Sequence, residues 1–235
     1  MKAIGLIPLI IYLIVLVGTG SRGGFIGFLM FCCVTFLVSK DRLKSGILVG
    51  FTAIIIMVFS ATFLYTGSRI TGNSIIGRLN GITHGIEMLL KGHPFGVGPG
   101  CYMIARGKYF GFTMMSHNLY GELIGDLGIT GTVAWFFLMR QVFWNLLLAK
   151  RKLESLSLQN DFLYKLTMGL LISLMVRLGV GLGSHGLYYF YWYLIAALSI
   201  IVEKNVDILT SERKVGEKAG KTVRGELKYE TSQHA

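Results

Sequence analysis

The chain has 235 residues, 53% of them hydrophobic and only 15% charged, with a formal net charge of +11 at pH 7. A mean hydropathy of +0.60 excludes an ordinary soluble globular domain and makes the bilayer the solvent for most of the chain. The cysteines, Cys32 and Cys33 adjacent in an apolar run and Cys101 alone, support neither a disulfide framework nor a zinc site of CxxC type.

Crossing a hydrocarbon core of about 30 Å takes roughly 20 helical residues. Apolar runs at about 4–18, 23–39, 46–66, 126–149, 163–182 and 187–202 are candidates, the first two short. The expected fold is therefore all-α: a polytopic transmembrane bundle of about six spans over residues 1–202, followed by a polar tail at 203–235. Met1-Lys2 opens the first run, and no Ala-x-Ala-like cleavage site follows it, so that run reads as a retained helix.

The clusters "KDRLK" at 40–44 and "KRK" at 150–152 are placed in the cytoplasm by the positive-inside rule, and with them both termini. The tail mixes acids and bases and reads as solvated and disordered rather than as a nucleic-acid arm. The loop at about 67–117 then faces outward, yet carries Arg69, Arg78, Lys91, Arg106 and Lys108 against a single acid, Glu87. Arg22, in "GTGSRGG", falls on the same side. An anionic partner is expected there. Arg177, in "LMVRLGVGLG", lies in or near the outer half of a span, where it either meets that partner or snorkels to headgroups.

Within the loop, "SIIGRLNGITHGIEMLLKG" at 74–92 sets Ile75, Ile76, Leu79, Ile82, Ile86, Leu89 and Leu90 on one helical stripe and Asn80, His84, Glu87 and Lys91 on another. This spacing predicts an amphipathic helix on the membrane surface, with Arg78 at headgroup level. In "GHPFGVGPG" at 92–100 the prolines forbid helix and the glycines permit turns or close backbone approach. Those glycines either offer amides to a phosphate or are plain loop.

"MSHNLYGELIGDLGITG" at 115–131 closes the loop. Ser116 and Asn118 are natural helix caps. His117 is needed for neither purpose, and at a helix end facing water it can take a proton from a hydroxyl. Glu122 and Asp126, spaced i, i+4, share a helix face from which they can pair with Arg177, Arg78 or each other's cationic partners, and they read as scaffold and pKa setters first and reagents second. Glycines at 121, 125, 128 and 131 let helices approach closely. His84, His93 and His117 match no metal-ligand spacing, so no metal and no cofactor are expected.

"TGSRGG" after a first helix, Arg78 ahead of "GHPFGVGPGCY", and "SHNLYGELIGDLGITG" stand in that order and together resemble the O-antigen ligase and O-antigen polymerase superfamily over roughly residues 10–150. The resemblance implies a bacterial inner-membrane glycosyltransferase acting at the outer face on glycans linked to undecaprenyl diphosphate. It implies that Arg22 and Arg78 engage the lipid diphosphate and that His117, followed by Asn118, activates an acceptor glycan or lipid. Arg69 and Arg177 join the arginines by position and charge.

Family proteins have about twice as many spans. The chain is therefore expected either to be a truncated product lacking an N-terminal half or to act with a partner subunit. The rival readings are a non-catalytic membrane protein that binds or transports a lipid-linked anion, and an inactive fragment.

Overall fold

The structure is a computed structural model. It describes residues 22–38, 73–111, 113–159 and 161–233, together with positions 11, 14–16, 46 and 50. The expected spans at 4–18 and 46–66 thus lie almost wholly outside the described residues, as does Arg69.

Among the described residues every regular element is helical: α1 (Arg22–Val38), α2 (Asn73–Leu90), α3 (Tyr102–Phe110), α4 (Leu119–Ser155), α5 (Phe162–Val180) and α6 (Tyr191–Gln233). Two of them, α4 and α5, are long and apolar enough to cross a bilayer, and α1 contains a shorter apolar stretch at Gly27–Leu37. Ile129, Val133, Phe136 and Phe137 on α4 are exposed. So many large apolar side chains on one helix suit lipid better than water.

The chain divides into two compact units, residues 1–137 with 172–189 and residues 138–171 with 190–235. In the second, Met139, Val142, Leu146, Ala149 and Leu153 of α4 are buried at alternating steps of three and four, as are Trp192, Ile195, Ser199, Val202 and Val206 of α6. That spacing is the seam of helices packing side by side. Lys152 pairs with Asp207, and Arg213 donates to the Leu156 carbonyl at 2.9 Å, so the two helices run in the same direction. The charged segment beyond Glu203, where composition suggests disorder, continues α6 as helix to Gln233.

The first unit is organised by glycine. Gly81 and Gly85 of α2 cross α4 at Gly121 so closely that a Cβ on Gly81 would strike Ser116, and one on Gly85 or Gly121 the backbone of the other helix. The amphipathic helix therefore has three faces. Its glycines and the fully buried Met88 turn inward, Leu79, Ile86 and Leu90 remain exposed, and Glu87 and Lys91 form a polar edge.

Seven residues after Gly121, α4 breaks at Gly128, where φ is 64° and ψ is −160°, a region essentially closed to other residues. The loop at 93–100 fills the break. Val97 N donates to Gly125 O at 2.8 Å, Gly98 N to Asp126 O at 3.1 Å, and Ile129 N to Pro94 O at 2.9 Å. The amides that a phosphate would need are thereby occupied: Gly96 N bonds His93 O, Cys101 N bonds Gly98 O, and Gly100 N bonds the Asp126 carboxylate. Of the two sequence readings of this loop, amides for a phosphate or plain loop, the structure favours the second, with the backbones in close approach. A Cβ on Gly96 would collide with the Asp126 carbonyl, and one on Gly128 with Pro94 O and Gly96 N.

Gly128→Ala is expected to lower thermal stability by about 3 kcal/mol or more, because backbone strain and collision add. Gly169→Ala, at a helical site with nothing within 4 Å, should instead be neutral or stabilising by up to about 1 kcal/mol. Thermal melts of the two variants in detergent check the contrast.

Candidate functional site

The site is built on the first two turns of α4. Asn118 caps the helix, its Oδ1 accepting from Tyr120 N at 3.0 Å and Gly121 N at 3.1 Å. Its Nδ2 donates to Leu182 O at 2.7 Å. Leu119 N donates to Gly181 O at 2.8 Å, and Tyr120 Oη to Leu178 O at 2.6 Å. The start of α4 is thus fastened to the end of α5 and the segment that follows it.

Glu122 and Asp126 reach the same segment from the next turn. Glu122 Oε2 accepts from Gly186 N at 3.1 Å and Leu187 N at 3.3 Å. Asp126 Oδ2 accepts from Tyr188 Oη at 2.9 Å and Gly100 N at 3.0 Å, and Oδ1 from Tyr102 N at 2.6 Å. The last two bonds cap α3, whose N-cap residue, Cys101, makes no side-chain cap bond. Among the described residues the hydrogen-bond partners of both acids are amides and a phenol. Orphan amides at a helix start and in a turn are strong donors, and a buried carboxylate needs several.

His117 stands between Ser116 and Asn118, which are 1% and 2% exposed, but its own side chain is exposed. Its backbone is left-handed, φ 48°, a conformation uncommon outside glycine and one that collects at functional positions. Both neighbours are tied inward, Ser116 by a 2.7 Å bond from its Oγ to Asn118 O. The reversal at His117 turns the imidazole outward. There its ring meets that of His185, centroids 5.6 Å apart and planes at 69°. His185 in turn lies 6.5 Å from the Tyr189 ring.

The arginines are placed unevenly. Arg177 is exposed in the last turn of α5, the end to which α4 is fastened. Arg78 lies three residues before Gly81, the glycine that abuts Ser116. Arg22 begins α1. That helix passes α5 with Gly27 opposite Val180 and Met30 opposite Gly179. These contacts put the start of α1 about 7 Å beyond Gly27 along its axis, toward the same end of α5. The side chains of Arg22 and Arg78 lie outside the described residues.

Two of the loop cations serve the scaffold instead. Arg106 is 4% exposed. Its Nε donates to His84 Nδ1 at 2.9 Å, and its Nη1 to the carbonyls of Met115 at 2.9 Å and Met114 at 3.3 Å. Lys91 pairs with Glu87 at 3.6 Å and lies over the Phe110 ring. The three loop histidines have separate roles: His84 stacks on Phe110, His93 bonds Tyr109 Oη at 2.7 Å, and His117 faces His185. No three His, Cys, Asp or Glu side chains gather as a metal site among the described residues.

Sequence reading missed His185, Tyr188 and the internal role of Arg106. The available signal for His185 was a second Ser-His pair, at 184–185, just after a span, as Ser116-His117 stands just before one.

A family model described as O-antigen ligase matches residues 7–136, more than half of the chain. No curated protein and no solved structure matches.

Burial, followed by the nearby Arg106 charge, holds the His84 imidazole below its ordinary value of 6.5. Its neutral form, with Nδ1 free to accept from Arg106, is the one the fold uses. Stability from this contact is fully present above pH 6.5 and lost as pH falls through the lowered folded value. His84→Asn, which keeps an acceptor and removes the titration, should show a smaller fall in melting temperature between pH 7 and pH 5 than the wild type.

Proposed function

Since the chain belongs to the O-antigen ligase family, we propose that it transfers or polymerises a glycan from undecaprenyl diphosphate onto a sugar hydroxyl, with His117 as general base. Membership itself makes the chain a membrane protein of glycosyltransferase type whose substrates are lipid-linked sugars. The observation that carries the finer reading is the exposed imidazole of His117, turned outward by a left-handed backbone between two buried residues.

In this reaction the acceptor oxygen attacks the anomeric carbon from the face opposite the diphosphate, and the bond from that carbon to the diphosphate oxygen breaks. The electron pair departs with the diphosphate, and the acceptor proton passes to His117. The anomeric centre inverts and no covalent intermediate forms. Arg22, Arg69, Arg78 and Arg177 are the proposed contacts to the diphosphate, whose departure they favour by neutralising its charge, without a metal or cofactor. Asn118, Glu122 and Asp126 support the base by fixing the helix start and the neighbouring segment. The loop at 67–117 faces outward from the inner membrane, and both termini are cytoplasmic. The acceptor is either a further repeat unit, as for a polymerase, or a lipid core, as for a ligase.

His117→Ala, present in the membrane at wild-type level, should reduce formation of surface polysaccharide roughly 10²–10⁴-fold. NMR of the product should show an inverted anomeric centre, formed equally well in chelator. Unchanged polysaccharide would assign the chain to binding or transport of a lipid-linked anion. Retained stereochemistry would remove His117 as a simple base.

A further inference from the structure

The segment at 181–188 is tied to the first two turns of α4 at five residues: Gly181, Leu182, Gly186, Leu187 and Tyr188. Ser184 bonds the His185 carbonyl at 3.1 Å. His185 lies inside this fastened segment, and its side chain makes none of the ties. Its ring is directed instead at His117, edge to face at 5.6 Å, within the range where aromatic rings attract and set each other's orientation.

We propose that His185 is a positioning residue for His117, holding the imidazole at the angle from which it meets the acceptor hydroxyl; this rests on the reading of His117 as base. Proton transfer requires a donor–acceptor distance near 3 Å and a defined direction, and a small misplacement of a reacting group costs up to about 10²-fold in rate. A ring held from the far side by a five-point anchorage restricts the orientations open to the His117 imidazole. The contact works through shape, so a phenyl ring satisfies it.

The test is a double-mutant cycle with the full chain in proteoliposomes, using undecaprenyl-diphosphate-linked glycan and acceptor lipid extracted from the host's own membranes. His185→Ala is expected to lower kcat about 10-fold or more with the donor KM unchanged, and His185→Phe to restore most of the loss. In a His117→Ala background, His185→Ala should cause no further loss, because a residue acting through another has nothing left to act on. Thermal melts of both His185 variants establish that the protein is folded. Wild-type kcat in His185→Ala, failure of phenylalanine to rescue, or additive loss in the double variant would each overturn this inference while leaving the base in place. Full turnover by His117→Ala would instead overturn the reading of the base on which it rests.

Discussion

The pairing of the loop at 93–100 with the break in α4 is the constraint on which the first unit depends. A helix interrupted at Gly128 exposes carbonyls and an amide that no neighbour in its own helix can satisfy. The loop supplies Val97 N, Gly98 N and Pro94 O at the required positions, and it reaches them only because Gly96 and Gly128 lack side chains. Breaking the helix and ordering the loop are one event. Asp126, two residues before the break, extends the same junction by capping α3 and accepting from Tyr188.

From that junction the rest of the unit follows. With α3 capped, Tyr102 packs against Met88 and Ala105 and bonds the Gly81 carbonyl at 2.5 Å. Burial pushes its phenol above the usual range, which keeps the donor protonated. The α2 glycines can then lie against α4, and Ser116 is trapped between the two helices. His117 is the first residue beyond this trap and Asn118 the first residue of the next anchorage. The histidine is exposed because both of its neighbours are committed elsewhere.

Much of this could be read from the residues, and what could not has a physical reason. The helical character, the apolar stretches of α4 and α5 and the glycine spacing that permits close approach follow from composition and period. Which backbone each glycine meets does not, because Gly96 and Gly128 are distant in sequence and carry no side-chain signature. The acids at 122 and 126 were recognisable as sharing a face. Their partners were not, since amides are present at every residue and spacing cannot distinguish a carboxylate that binds them from one that binds arginine. Arg106 looked like its neighbouring cations until burial separated it from them. The charge mixture after Glu203 suggested disorder, yet helix persists there, because long polar side chains are good helix formers as well as good solvators.

The internal use of Arg106 bears on how the loop responds to ions. Its guanidinium lies among the Met114 and Met115 carbonyls and the His84 ring, behind the chain leading into His117. A buried charge is screened far less than one in water. On the proposed reading, electrolyte therefore weakens the grip of surface cations on the lipid diphosphate long before it loosens the frame around the imidazole. Ionic strength would then be a dial on docking alone, separating attraction of the proposed donor from the geometry that receives it.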